Sequence, residues 1–265
     1  MINWSINIFI ELGIFRRLYM EYSKLYIEHI KQLLDQLVNT QWESIHQASD
    51  YISEAIAENH SIYIFGASHA GILAQEMFYR TGGLAVINPI LPKEVMLDIR
   101  PITQTSQMER LEGYGRIIID NSGIKENDIL IIHSVSGRNT ISIDMALRAK
   151  EKGIRLIVIT NMDYSKKVNS RHLSGKKLFE IADIVIDNCG EFEDSCILVD
   201  GMEQKVAPTS TVMGASIVNA IVIQVVEKLL RRNVEPPVFH SANVDGGDEY
   251  NRKILEKYKE HIFYM

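Results

Sequence analysis

The sequence predicts an α/β protein with a parallel, doubly wound sheet. Short β-branched runs at 61–65, 128–133, 154–159 and 182–186 end in polar residues and alternate with segments of helical periodicity. Helices of crossover length between such strands imply right-handed connections. Ligands of these sheets bind beyond the carboxyl ends of the strands, so the loops that follow the four runs are the first place to look for a site.

The composition is that of a soluble globular protein. Of the 265 residues, 46% are hydrophobic and 23% are charged, and the formal net charge is −6. An acidic chain lacks the electrostatic footprint for nucleic acid or an anionic membrane surface, so we expect neither partner. The two cysteines, Cys189 and Cys196, fit neither a disulfide framework nor a metal site. We therefore expect reduced thiols in a cytoplasmic protein that uses no metal and no cofactor.

The first 60 residues divide into two parts. Residues 1–19 place an apolar stretch ahead of Arg16 and Arg17, the reverse of a signal peptide, and the stretch is too short to span a membrane. We interpret them as a non-native or disordered extension, with an amphipathic helix that docks on a partner as the alternative. Residues 20–60 show helical periodicity that Asn39 and Thr40 punctuate, which predicts a pair of N-terminal helices.

The segment 129–140 carries the strongest candidate for a binding loop. An apolar run leads into a short polar turn and then into a helix. The turn residues with side chains or backbone suited to a ligand are Ser134, Ser136, Gly137, Asn139 and Thr140. A strand that passes through a Ser/Gly turn into a helix points N–H groups and hydroxyls at one place, which suits a phosphate. An ordinary βα turn rich in small residues is the alternative.

Two further loops place small polar residues before helices. Residues 66–68 follow the first strand, although neither a dinucleotide fingerprint nor a phosphate-loop lysine is present. His69 beside them is either a polar loop residue or a catalytic one. Residues 209–211 precede an almost wholly apolar helix over 212–230, where they either contact an anion or cap the helix.

The tail at 233–265 is polar and glycine-rich before it closes in a helix. Its stretch 240–251 is denser in Asn, Asp, Glu and His than a simple connection needs. We expect this loop and helix to complete the active site. The alternative is that its asparagine and aspartate side chains only cap turns.

The loops at 66–68, 134–137 and 207–211, in this order, resemble those of the SIS family of phosphosugar isomerases and phosphosugar-binding domains. The resemblance covers about 59–230, and the stretch 240–251 is similar to an uncharacterised bacterial subfamily that contains SIS domains. It implies a five-stranded, flavodoxin-like αβα sandwich at 61–232, a homodimer and a sugar phosphate ligand. The phosphate contacts that it implies are Ser68, Ser134, Ser136, Asn139 or Thr140, and, nearby, Thr209, Ser210 and Thr211.

The catalytic residues that the resemblance implies are less well matched. Related enzymes carry a Glu on the helix after the first loop at a position that falls near Phe78 here. Glu76 is close in sequence but points about 160–200° away, at roughly 100° per residue. Relatives also use His or Glu from near the C-terminus, sometimes from the other subunit, and His240 and Glu249 are the analogues in this chain.

Three functions compete at this point. The leading hypothesis is an isomerase or an etherase/lyase that acts on an amino- or N-acetyl-sugar phosphate. The alternative is a non-catalytic regulatory protein that senses a phosphosugar, although neither a helix-turn-helix region nor a kinase-binding insert is visible. A nucleotide-binding protein is disfavoured because the fingerprint glycines and the phosphate-loop lysine are absent.

Overall fold

The computed structural model describes residues 21–265 and is built around a five-stranded parallel sheet with the order β2-β1-β3-β4-β5. The strands are β1 (Ile62–Gly66), β2 (Ile87–Ile90), β3 (Ile129–His133), β4 (Arg155–Thr160) and β5 (Ile184–Asp187). A separate antiparallel hairpin joins β6 (Ser195–Ile197) and β7 (Val206–Pro208). The predicted parallel sheet is confirmed, and the strand order reverses between β1 and β3.

Helices cover both faces of the sheet. They are α1 (Tyr22–Ala57), α2 (Ile72–Met77), α3 (Thr103–Met108), α4 (Tyr114–Asn121), α5 (Thr140–Glu151), α6 (Met162–Lys167), α7 (Ser210–Arg231) and α8 (Gly247–Lys257). Alternate side chains of each central strand face opposite cores. In β3, Ile131 packs with α1, α2 and α7, whereas Leu130 packs with α4 and α5. The αβα sandwich is thus confirmed.

The N-terminal region is one helix, and the predicted helix pair is wrong. α1 runs without interruption through Asn39 and Thr40, and the Thr40 hydroxyl donates to the carbonyl of Gln36 at 2.8 Å. Thr40 therefore satisfies itself within the helix instead of starting a new one. Packing against α7 holds the helix straight through this point, with Ser49 donating to Gln224 at 2.9 Å and Lys228 to Asp50 at 2.5 Å. Residues 1–19, interpreted above as an extension, lie outside the described residues.

The segment between β2 and β3 contains two short helices. α3 ends at Met108, and Gly113, with φ +80°, directly precedes α4. β2 lies at the sheet edge and contains Pro89, which is tolerated there because an edge strand has one side free of ladder hydrogen bonds. Proline is what hid this fifth strand in the sequence.

α7 is long and apolar enough to cross a membrane by length and composition alone. In this fold it packs against α1 and α2, and Met213, Ile217 and Ile221 are fully buried in the core. Burial of one face against the sheet layer explains the composition of this helix.

The tail lies along the β2 edge of the sheet. Val238 forms an antiparallel bridge with Leu84, the amide of Gly82 donates to the carbonyl of Phe239, and the amide of Phe239 donates to the carbonyl of Gly83. Farther on, the Asn88 side chain accepts from the amide of Phe263 at 2.7 Å and donates to the carbonyl of His261 at 2.8 Å. These contacts anchor both ends of the tail.

Candidate functional site

A cleft of about 220 Å³ lies at the carboxyl ends of β1 and β3, where the strand order reverses. This is the expected position for a ligand in an open α/β sheet. Its lining residues are Ala67, Ser68, His69, Ala70, Glu109, Ser134, Val135, Ser136, Asn139, Ser142, Tyr164 and Asp194. Two of the three predicted loops therefore meet in one place.

Hydrogen bonds from the end of β4 hold the loop that follows β3 in place. The Thr160 hydroxyl donates to the carbonyl of Ser134 at 2.7 Å, and the Asn161 amide donates to the carbonyl of Val135 at 3.0 Å. Gly137 has φ +58°, and a Cβ there would come within 3.2 Å of the Thr160 hydroxyl, so a glycine is needed. The loop is thus held rigidly with its side chains toward the cleft.

Three hydroxyls of the cleft are unused by the protein itself. Those of Ser134, Ser136 and Ser142 form no hydrogen bond with another residue in the described range 21–265, although all three residues line the cleft. Ser134 and Ser142 are otherwise buried, and both form part of the cleft wall. Thr140, in contrast, donates to the carbonyl of Arg171 at 3.3 Å and is removed from the cleft. Of the predicted alternatives, Asn139 or Thr140, Asn139 lines the cleft and Thr140 does not.

The loop after β1 brings Ser68 to the opposite wall. Gly66 is required here because a Cβ at this position would lie 2.3 Å from the carbonyl oxygen of Ala70. Ser68 itself adopts φ +52°, an uncommon conformation for a residue with a side chain. Its hydroxyl donates to the carboxylate of Glu109. Ser68 therefore reaches the cleft as predicted, but it is already engaged.

Glu109 is a cleft residue that the sequence analysis missed. It follows the last turn of α3, and its two carboxylate oxygens accept from Ser68 and, at 2.5 Å, from the amide group of Asn139. Its backbone carbonyl also accepts from Ile141 in the first turn of α5. Glu109 thus links both walls and presents a fixed carboxylate to whatever occupies the cleft.

His133 lies beneath the cleft and is 1% exposed. Its Nδ1 lies 3.0 Å from the carbonyl oxygen of Ala70, which makes Nδ1 the donor and leaves Nε2 without a partner in the described range. Burial lowers the pKa of His133, against the opposing effects of this hydrogen bond and of Asp194. The ring is accordingly neutral near pH 7.

The N-terminus of α7 is occupied by an internal carboxylate. Asp194 accepts from the amide of Ser210 at 2.8 Å, from the Ser210 hydroxyl at 2.6 Å and from the amide of Thr209 at 3.2 Å. Thr209 is fully buried, and Thr211 does not line the cleft. The predicted phosphate contacts Thr209, Ser210 and Thr211 therefore lie outside the cleft lining, and Asp194 accepts the hydrogen bonds of Thr209 and Ser210.

The three predicted catalytic residues lie outside the cleft of the single chain. Glu76 pairs with Arg80 and accepts from Asn219 at 3.0 Å on α7. His240 stacks on Tyr250 with ring centroids 4.0 Å apart, and Glu249 pairs with Arg252 on the surface of α8. The tail thus does not complete the cleft within one chain, because its backbone contacts hold it along β2.

A group of two carboxylates and an imidazole lies next to the cleft. His172 Nε2 is 3.2 Å from Asp144 and 3.4 Å from Glu112. The backbone amide of Ser174 donates to His172 Nδ1 at 3.0 Å, so Nε2 carries the proton and donates to Asp144. The ring therefore clamps the loop at 170–175 onto α5 without offering a lone pair to a metal.

Known proteins of similar sequence and structure agree with the observed fold. A family model described as SIS domain matches residues 25–161. A UPF0309 protein of Shouchella clausii is 51% identical over 246 residues, which cover 93% of this chain and 100% of that protein. A UPF0309 protein of Oceanobacillus iheyensis is 49% identical over the same shares of both chains. The structure of a phosphoheptose isomerase from Francisella tularensis superposes with a TM-score of 0.51 at 14% identity, covering 76% of this chain and 95% of that one, which is a likeness of fold.

Proposed function

Because the chain belongs to the SIS domain family, we propose that it binds a sugar phosphate in the cleft between β1 and β3. One observation carries this proposal: the hydroxyls of Ser134, Ser136 and Ser142 converge on the cleft without partners in the described range. Each hydroxyl can donate one hydrogen bond and accept others, so these groups are available to a ligand that accepts hydrogen bonds. A phosphate offers several strong acceptor oxygens to such a ring of donors.

We further propose that the bound sugar undergoes proton transfer, as in an isomerase or an etherase/lyase. Glu109 is the candidate general base, since its carboxylate is fixed by Ser68 and Asn139 and faces the cleft. His69, which also lines the cleft, is the candidate second group for opening the ring. Aldose–ketose isomerisation needs such a pair, because a proton leaves C2 and returns to C1 while the ring oxygen takes up another.

The test begins with a thermal-shift screen of hexose, amino-sugar and N-acetyl-sugar phosphates against their unphosphorylated sugars. Hits are then assayed for turnover with the parent protein and with Glu109→Gln. We expect turnover to fall by roughly 10²–10⁴ while affinity is kept, the effect of losing a general base. Glu76→Gln is the matched control because Glu76 lies outside the cleft.

Three outcomes separate the alternatives. A parent protein that binds a phosphosugar without turning it over identifies the non-catalytic sensor. A parent protein that binds no sugar phosphate at millimolar concentration contradicts both readings. Equal turnover in the parent and in Glu109→Gln would leave phosphate binding intact and assign the chemistry to another residue.

We also propose that the protein is a cytoplasmic homodimer. Apolar side chains of α1 and α7 remain open to solvent in the single chain, among them Leu25, Ile27, Ile223 and Leu230. A second copy would cover such residues and would also be needed to bring His240 or Glu249 to a cleft. Light scattering of the parent and of Ile223→Asp tests this, with a fall from two chains to one expected for the variant. A monomeric parent would contradict the proposal.

A further inference from the structure

Three arginines lie close together beside the serine loop, since the charges of Arg138 and Arg110 both act on Arg171. Arg110, Arg138 and Arg171 form no ion pair with a carboxylate in the described range 21–265. Most other described arginines pair with a carboxylate within 4 Å, namely Arg80, Arg116, Arg148, Arg155, Arg231, Arg232 and Arg252. In a chain with a net charge of −6, a group of unpaired guanidinium ions at one place requires an explanation.

The positions of Arg138 and Arg171 are tied to the serine loop. Arg138 lies between Gly137 and Asn139, and the amide of Arg171 donates to its carbonyl at 3.0 Å. Arg171 Nη1 donates to the side-chain oxygen of Asn139 at 2.8 Å, and Asn139 lines the cleft. The neighbouring clamp of His172, Asp144 and Glu112 holds the segment that carries Arg171.

The N–H donors of these arginines are not all used within the described residues. Arg138 Nε is buried and has no hydrogen-bond partner among residues 21–265. Partial burial, followed by the charges of Arg138 and Arg110, lowers the pKa of Arg171, so the three guanidinium groups repel one another. Glu109, the cleft carboxylate whose charge acts on Arg171, is already bonded to Ser68 and Asn139.

We propose that Arg138 and Arg171 form a second anion subsite at the cleft rim, so that the ligand is a sugar phosphate with a further acidic group. This inference rests on the proposed function, since the serine loop supplies the first phosphate position. Guanidinium groups bind carboxylate and phosphate through paired N–H donors, so either group satisfies the chemistry. A singly phosphorylated neutral sugar leaves the subsite empty.

Calorimetric titration with three probes tests the subsite. The probes are glucose 6-phosphate, fructose 1,6-bisphosphate and 6-phosphogluconate, which carry one phosphate, two phosphates, and a phosphate with a carboxylate. We expect the parent to prefer at least one doubly acidic probe, and the better one identifies the second group. Arg138→Gln and Arg171→Gln should each reduce that preference about tenfold or more, with glucose 6-phosphate affected about twofold or less.

Controls keep the test independent of folding and of net charge. Arg231→Gln removes the same charge at the far end of α7 and should bind all three probes like the parent. Arg171→Lys keeps the charge but loses the paired donors, so it should lose part of the preference while melting like the parent. Ser134→Ala with Ser136→Ala should weaken all three probes alike.

Four results would overturn the inference. Arginine variants that weaken every probe equally would place these residues in the first phosphate site. A parent without preference for either doubly acidic probe, or one whose preference survives both substitutions, would leave the proposed function standing and remove the second subsite. A parent that binds none of the probes would contradict the proposed function for hexose phosphates as well.

Discussion

Two helix N-termini near the cleft have similar sequences but different hydrogen-bond partners. α5 follows Ser134, Ser136 and Asn139, whereas α7 follows Thr209, and both begin after short polar segments. At α5 no side chain caps the helix, because Asn139 gives its amide to Glu109 and its oxygen to Arg171. At α7 the carboxylate of Asp194 accepts hydrogen bonds from the backbone amides of Thr209 and Ser210 and from the Ser210 hydroxyl.

The difference teaches how to tell a binding loop from a cap. Hydroxyl-rich segments before helices suit an anion in either case. What distinguishes them is whether the protein supplies the anion itself. An unused hydroxyl facing a cleft points to a ligand, and a hydroxyl bonded to an internal carboxylate points to a structural cap.

The largest effect should come from removing the hydroxyls at α5. Ser134→Ala with Ser136→Ala should weaken the phosphosugar identified by the screen by about 1–3 kcal/mol for each hydrogen bond lost. Thr209→Ala with Ser210→Ala is the matched variant at α7 and should leave affinity within about 0.5 kcal/mol, in the range of a remote substitution. Calorimetric titration compares the two; equal losses in both variants would erase the distinction between the helix ends.

A smaller effect is expected on stability, where substitution at the N-terminus of α7 should cost more than substitution at the N-terminus of α5. Asp194→Ala removes the cap of α7 and should lower the free energy of unfolding by about 1–2 kcal/mol, as for the loss of an N-cap. Asn139→Ala at α5 should cost less, since Asn139 does not cap its helix. Urea denaturation measures both. A larger loss for Asn139→Ala than for Asp194→Ala would contradict this assignment.

The smallest effect concerns His133, which lies beneath both loops. Burial lowers its pKa in the folded state, so the unfolded chain binds the extra proton more readily. The contribution of His133 to the free energy of unfolding is complete above the unfolded pKa of about 6.5. It is lost as the pH falls toward the lower folded pKa, and the free energy of unfolding then declines by at most about 1.4 kcal/mol per pH unit. Unfolding measured between pH 5 and 8 should show this decline, and His133→Gln should flatten it. An unchanged slope in His133→Gln would assign the decline to other groups.

Much of the fold was predictable because its signals are local. Runs such as 129–133 are buried on both faces and therefore read as continuous apolar segments. The failures came where tertiary packing overrode local preference. Asn39 and Thr40 favour a break in isolation, but contacts with α7 keep α1 continuous. Pro89 disfavours a strand, yet the edge position accepts it.

The residues of the candidate site also divide into those that the local sequence predicts and those that it does not. Ser134 and Ser136 were predictable because strand, turn and helix are adjacent in sequence. Glu109 was not, since its contact with Ser68 joins residues 41 positions apart and no local pattern marks it. Asp194 approaches Ser210 from 16 positions away, on a loop where Glu193 and Asp194 both adopt positive φ. Contacts between residues so far apart in sequence are set by the tertiary fold.

The Asp194 cap has a consequence for the ligand-free protein. Because the chain itself neutralises the start of α7, its most apolar helix is complete before any ligand arrives. Amide hydrogens at the beginning of α7 should therefore exchange slowly with solvent whether or not the cleft is filled. Ligand should slow exchange in the loop at 134–139 instead, so the two helix ends would report separately on folding and on occupancy.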